Sequence, residues 1–85
     1  MAEFKGVDPL AFVETLNCES GFNPLAVGDS GTSFGIAQFH NPTEWGITES
    51  QALNPWLSIA LAADSWSRGE SSRWSCYRLL YPDRN

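Results

Sequence analysis

The chain has 85 residues, a length that suits one domain with a thin core, because a domain of this size buries only about 60–65% of the surface its unfolded chain exposes. Ten acidic and five basic side chains give a formal net charge of −5, which argues against nucleic acid as a partner. No apolar run approaches the roughly 20 residues of a bilayer-crossing helix, so membrane insertion is not expected.

A first helix is predicted over residues 9–20. Asp8 suits an N-cap and Pro9 suits the first helical position. Leu10, Val13 and Leu16, with Phe12 beside them, predict its apolar face. Gly21 is expected to end the helix, which puts Glu19 in its last turn.

The segment after this helix is predicted to be a loop or a short β-hairpin. Residues 28–33, GDSGTS, lie in a stretch rich in Gly, Ser and Thr, which favours turns and gives no helical stripe. The apolar side chains of residues 34–39 are expected to return to the core.

Two further helices are predicted in the C-terminal half. Thr48 and Gln51 match a capping box, and Asn54 followed by Pro55 predicts the start of a longer helix that ends near Gly69. Trp56 and Trp66 fall on its apolar stripe and are expected in the core. A last short helix is predicted over residues 72–81, before Pro82.

No repeat or linker divides the chain, so residues 1–85 are expected to form one domain. Residues 1–7 are expected to be a flexible N-terminus that is either partly vector-encoded or native.

Cys18 and Cys76 lie far apart in sequence and fit one disulfide better than a metal site, which needs more ligands than these and the single His40. A disulfide implies an oxidising compartment, and the alternative is two buried thiols in a cytosolic protein.

Glu19 is the acidic residue with the most unusual predicted position. It lies at the C-terminal end of an amphipathic helix, where the helix dipole disfavours a negative charge and raises the pKa of the carboxyl. Dehydration by aromatic side chains would raise this pKa further and keep Glu19 protonated, as a general acid requires. By position alone, a solvated surface carboxylate is the alternative.

Two segments resemble the catalytic domain of soluble lytic transglycosylases. Residues 18–27, CESGFNPLAV, are similar to the Glu-Ser-x-x-Asn-Pro-x-Ala-Val segment of that family, and Gly35-Ile36-Ala37-Gln38 is similar to the Gly-Leu-Met-Gln segment that follows it. The same regions, with Trp74-Ser75-Cys76, resemble the resuscitation-promoting-factor domain, whose two cysteines are paired. Both families share the lysozyme-like fold, so the resemblance implies a small α+β, mainly helical domain.

The resemblance also implies roles for matched positions. Glu19 becomes the catalytic acid/base, Ser20 a neighbour that positions groups near it, and Gln38 a ligand of the saccharide. Flat aromatic rings suit the C–H faces of sugars, and the groove-wall candidates are Phe34, Phe39 and Trp45. Tyr77 is the nearest substitute for the tyrosine of an Ala-Tyr-Asn-Ala-Gly motif that this chain lacks, whereas His40 is expected to be a loop hydrogen-bonding or rim residue.

The implied substrate is the glycan strand of bacterial peptidoglycan, bound by a monomer without metal or cofactor in an extracellular, periplasmic or cell-wall location. Asp29 and Glu44 are the candidates for a second carboxylate, and neither matches a family nucleophile. We therefore expect a lytic transglycosylase that forms 1,6-anhydro ends. The alternatives are a muramidase that hydrolyses the same bond and a non-catalytic glycan-binding module.

Overall fold

The computed structural model describes residues 8–84, so the expectation for residues 1–7 lies outside the described part. Helix α1 spans Pro9–Ser20, as predicted, and capping by Asp8 and Gly21 determines where it begins and ends. The Asp8 carboxylate accepts the Leu10 N–H at 3.1 Å, and Gly21 ends the helix in the left-handed conformation, with φ 62°.

The buried face of α1 differs from the predicted one. Leu10 is 65% exposed and Val13 is 46% exposed, so the expectation that these two side chains face the core was wrong. The helix instead buries the flank formed by Ala11, Phe12, Thr15 and Leu16. Glu19 follows Leu16 by three positions and Thr15 by four, so the buried face leads directly to its carboxyl.

The segment after α1 forms a small antiparallel sheet of three strands in sequence order: β1 (Val27–Gly28), β2 (Ser33–Phe34) and β3 (Phe39–His40). Val27 pairs with Phe34, which pairs with Phe39. The third strand extends the predicted hairpin. Gly35 follows β2 with φ 86°, where a Cβ atom would lie 1.8 Å from the carbonyl oxygen of Ala52, so this turn accepts only glycine.

A 3-10 turn, Pro42–Trp45, leads to helices α2 (Glu49–Leu53) and α3 (Pro55–Ser67). The capping box is confirmed, because Gln51 N–H donates to Thr48 Oγ1 at 3.0 Å and Thr48 N–H donates to Gln51 Oε1 at 2.8 Å. Asn54 begins α3 as predicted.

The predicted helix over residues 72–81 is divided into a 3-10 turn, Ser71–Arg73, and helix α4, Ser75–Leu80. A further 3-10 turn covers Pro82–Arg84. Trp74 separates the first two elements with extended backbone, and its buried indole donates Nε1–H to the carbonyl oxygen of Ala37 at 2.8 Å. The break therefore lets Trp74 enter the core.

The core is built largely from aromatic rings. Phe12 and Tyr77 each pack edge-on against Trp66, and Trp74 contacts Trp66 and Phe39. Trp56 is 78% exposed, so its predicted core position was wrong, whereas Trp66 is buried as predicted. The result is a small, mainly helical α+β domain.

The predicted disulfide is present between Cys18 and Cys76, which joins α1 to α4. Their Cα atoms lie 5.9 Å apart, within the usual range for a disulfide. Within residues 8–84, no helix combines the length and the apolar character needed to span a bilayer.

Candidate active site

A cleft of about 390 Å³ lies beside the last turn of α1, which contributes Glu19 to its lining. We define its sheet side as Asp29, Ser33, Gln38 and His40, and its helical side as Arg73, Trp74, Ser75 and Arg78. Trp45, from the 3-10 turn that follows β3, completes the lining. The cleft therefore brings together side chains from both halves of the sequence.

The Glu19 carboxylate is held at the start of α4. Its Oε2 accepts the backbone N–H of Cys76 at 2.9 Å and the hydroxyl of Ser75 at 3.3 Å. Cys76 is bonded to Cys18, the residue that precedes Glu19, so the disulfide joins the acid to its backbone donor. Because both hydrogen bonds go to Oε2, a proton on Oε1 leaves them intact.

Burial raises the pKa of Glu19 above the ordinary value of a glutamate, and the negative charge of Asp29 adds to this rise. The hydrogen bonds from Cys76 and Ser75 and the positive charge of Arg78 act in the opposite direction. The net pKa is raised, in the direction expected from the sequence, although desolvation is the largest cause. The arrangement holds a proton more firmly than an exposed glutamate would.

Asp29 is the second carboxylate in the lining. The hydroxyl of Ser33, which is buried, donates to Asp29 Oδ2, and His40 Nδ1 lies 3.1 Å from that hydroxyl and 3.8 Å from Oδ2. Glu44, the other candidate, is exposed in the 3-10 turn and does not line the cleft. Of the two candidates, only Asp29 is placed to act with Glu19.

Gln38 and Trp45 are the two predicted substrate-binding residues that line the cleft. The Gln38 amide donates to the carbonyl oxygens of Gly35 and Ala26 at 2.8 and 3.1 Å, which fixes its orientation. The Trp45 ring stacks against the Arg73 guanidinium, whose Cζ lies 3.5 Å from the ring centroid. One face of this ring is therefore occupied by a cation.

The other predicted substrate-binding residues lie outside the cleft lining. Phe39 and Tyr77 are buried in the core, where their rings pack against tryptophans, and Phe34 packs against the same core. The groove-wall assignment of Phe34 and Phe39, and the expected role of Tyr77 as the substitute for the motif tyrosine, are thus corrected to packing roles. Ser20 donates its hydroxyl to the carbonyl oxygen of Ile36 at 2.7 Å, which ties the end of α1 to the segment before Gln38.

Sequence reasoning assigned no role in the site to Ser33 or to the residues of the helical side. Arg73, Ser75 and Arg78 lie more than 50 residues after Glu19, and no spacing rule connects them to it. The position of Cys76 was a usable signal, because a bridge to Cys18 brings its neighbours close to Glu19. His40 lies at the cleft with hydrogen-bond partners, in agreement with its predicted rim position.

Within residues 8–84, no cluster of three or more His, Cys, Asp or Glu side chains is arranged to hold a metal ion. Comparison of the chain with protein-family models, with curated proteins and with solved structures found no match. We therefore infer the function from the chemistry of the cleft and from the sequence motifs.

Proposed function

We propose that the protein is a lysozyme-like enzyme that cleaves the β-1,4 bond between N-acetylmuramic acid and N-acetylglucosamine in peptidoglycan strands. The observation that carries this proposal is Glu19, a half-buried carboxyl with a raised pKa at the wall of an open cleft. A glycosidase needs such a protonated acid, because the leaving sugar oxygen must receive a proton as the bond breaks. The resemblance of residues 18–27 to a transglycosylase segment supports the substrate class.

In the proposed reaction, the Glu19 proton passes to the glycosidic oxygen, and the bond from this oxygen to C1 of the muramic acid breaks. The 2-acetamido group of the same sugar stabilises the positive charge that develops at C1. The oxygen of the 6-hydroxyl then attacks C1, and the Glu19 carboxylate takes the proton of that hydroxyl. Cys76 and Ser75 hold Oε2 of the carboxylate in this step. The product is a 1,6-anhydro end, and Glu19 is protonated again.

Asp29 favours a second outcome, in which water replaces the 6-hydroxyl. Its carboxylate lines the same cleft, interacts electrostatically with Glu19 and is oriented by Ser33. A carboxylate in this position suits the activation of water, and the enzyme would then be a muramidase that leaves a reducing end. We favour the transglycosylase because Gly35-Ile36-Ala37-Gln38 resembles the Gly-Leu-Met-Gln segment of that family.

The disulfide supports an oxidising location, so the proposal includes an extracellular, periplasmic or cell-wall-associated protein. We propose that the protein acts on the glycan strands as a monomer.

Mass spectrometry of the muropeptides released from purified peptidoglycan tests this function. We expect 1,6-anhydro ends, and reducing ends alone would transfer the assignment to the muramidase. Binding of peptidoglycan without any released product would instead identify a non-catalytic glycan-binding module.

A further inference from the structure

A hydrogen-bonded cluster, which we call the His40 cluster, lies on the sheet side of the cleft and consists of Asp29, Thr32, Ser33 and His40. Ser33 and His40 are paired residues in the antiparallel register of β2 and β3, and paired residues place their side chains on the same face of a sheet. In the turn before β2, Asp29 and Ser30 adopt the left-handed conformation, with φ 51° and 59°. This turn brings the Asp29 carboxylate to the Ser33 hydroxyl.

The two hydroxyl groups of the cluster both donate their protons to Asp29. Thr32 Oγ1 donates to the backbone carbonyl oxygen of Asp29 at 2.7 Å, and Ser33 Oγ donates to the carboxylate oxygen Oδ2. A carbonyl oxygen and a carboxylate oxygen have no proton to give, so the hydroxyl must be the donor in each pair. Because a hydroxyl has a single proton, neither Thr32 nor Ser33 has one left for a second acceptor.

The positions of these protons determine the tautomer of His40. Its Nδ1 lies 3.2 Å from Thr32 Oγ1 and 3.1 Å from Ser33 Oγ, and both oxygens present lone pairs to it. An Nδ1 without a proton would place a third lone pair against these two, with the Asp29 carboxylate 3.8 Å away. Nδ1 therefore has the proton and donates it to the hydroxyl oxygens. A neutral imidazole has only one N–H, so Nε2 is then a hydrogen-bond acceptor.

The acceptor nitrogen of His40 is available to a ligand. Among the described residues, Nε2 has no hydrogen-bond partner. The side chain is 56% exposed and lines the cleft. The ring is held through Nδ1, and the backbone of His40 is held as well, because Trp45 Nε1–H donates to its carbonyl oxygen at 3.1 Å. The cluster therefore provides an acceptor whose position and protonation state are both fixed before a ligand binds.

We propose that His40 is a substrate-binding residue whose Nε2 accepts a hydrogen bond from an O–H or N–H group of the bound glycan. Asp29 acts through Thr32 and Ser33 as a positioning residue, because it takes their protons and thereby holds the ring in the Nδ1–H tautomer. The sugars of the glycan have hydroxyl and acetamide N–H donors, which suit a fixed acceptor. This inference rests on the proposed function for the identity of the ligand, whereas the tautomer is a property of the free protein.

Nitrogen-15 NMR of the free wild-type chain tests the tautomer. His40 is the single histidine of the sequence, so its ring signals are unambiguous. Correlation of the carbon-bound ring protons with both ring nitrogens, recorded at a pH at which the ring is neutral, distinguishes a protonated nitrogen from an unprotonated one by its chemical shift. We expect a protonated Nδ1 and an unprotonated Nε2, and a ring with the proton on Nε2 would overturn the proposal.

Variants of the hydroxyl residues test the role of the cluster in the same spectrum. T32V/S33A removes both acceptors of the Nδ1 proton, so the ring should change to a mixture that includes the Nε2–H form. Thr43 provides the matched control, because it is exposed in the 3-10 turn and does not line the cleft, and T43V should keep the wild-type tautomer. An unchanged tautomer in T32V/S33A would refute the positioning role.

Binding is tested with a tetrasaccharide of alternating N-acetylglucosamine and N-acetylmuramic acid in which sulfur replaces each glycosidic oxygen, so that the wild-type chain does not cleave it. At saturation, the Nε2 signal should move toward the shift of a hydrogen-bonded nitrogen and the Nδ1 signal should stay in place. H40N keeps an N–H donor near the position of Nδ1 and has no group near that of Nε2, so it should bind about fivefold more weakly. H40Q places an amide oxygen near the position of Nε2 and should bind more tightly than H40N.

The failures of this inference and of the proposed function are distinguishable. An Nε2 signal that does not move at saturation, an absence of binding, or wild-type affinity in H40N would overturn the role of His40. Release of muropeptides that depends on Glu19, together with an unmoved Nε2 signal, would refute this inference alone. A moved Nε2 signal without release of muropeptides from purified peptidoglycan would refute the proposed function alone.

Discussion

Loss of the Cys18–Cys76 disulfide should be the most damaging single change to stability. The bridge closes a sequence separation of 58 residues, which the loop-entropy relation converts to about 4 kcal/mol. A domain of this length has a total stability of roughly 4–13 kcal/mol, so the loss is a third or more of it. With an unfolding entropy of about 0.18 kcal/mol/K for a chain of this size, C18A/C76A should melt about 20 °C lower.

The assay is thermal unfolding by circular dichroism, with the wild-type chain under oxidising and reducing conditions and with C18A/C76A. Reductant should lower the melting temperature of the wild-type chain toward that of the variant and should leave the variant unchanged. A variant that melts within a few degrees of the oxidised wild-type chain would refute the reasoning. Two reactive thiols in the denatured, unreduced wild-type protein would contradict the disulfide itself.

Further predictions concern the acid and the core. Because Asp29 raises the pKa of Glu19 and Ser75 lowers it, D29N should move the alkaline limb of kcat/KM to lower pH and S75A should move it to higher pH; shifts of the same sign would contradict this account. The folded chain keeps the Glu19 proton over a pH window in which the unfolded chain releases it, so stability should fall as pH rises through that window. Urea unfolding across pH should show this fall in the wild-type chain and a smaller one in E19Q, and identical profiles would count against the raised pKa. The hydroxyl of Thr15 is buried with no hydrogen-bond partner among the described residues, so T15V should stabilise the domain by about 1 kcal/mol and raise its melting temperature by about 5 °C, whereas a lower melting temperature would indicate an unseen partner.

Local sequence signals predicted the bounds of the helices well. Asp8, Gly21, Thr48 and Asn54 act through their own backbone neighbours, and each cap is where the sequence predicted it. The signals for packing were weaker, because the apolar spacing of α1 allowed two faces. The domain buries the flank with Phe12 and Thr15 and leaves Leu10 exposed. Which flank is buried depends on the surfaces that α3 and α4 present to α1.

The sequence predicted the catalytic acid of the candidate site but not most of the residues that surround it. Glu19 was identified through a contiguous motif, and Gln38 through a second motif in the same half of the chain. Arg73, Ser75 and Arg78 reach the cleft only because the chain breaks at Trp74 and the disulfide brings α4 against α1. No local sequence pattern predicts such long-range placement. The burial of Phe39 in the core, one residue from Gln38, also depends on long-range packing and was not predicted for the same reason.

The rate at which E19Q releases soluble muropeptides from purified peptidoglycan tests the central claim most directly. The amide cannot donate the proton, so the rate should fall at least a hundredfold, with the circular dichroism spectrum of the folded protein unchanged. Glu44 provides the matched control, because it is exposed and outside the cleft lining, and E44Q should keep the wild-type rate. An E19Q rate within about tenfold of wild type would show that Glu19 is not the proton donor.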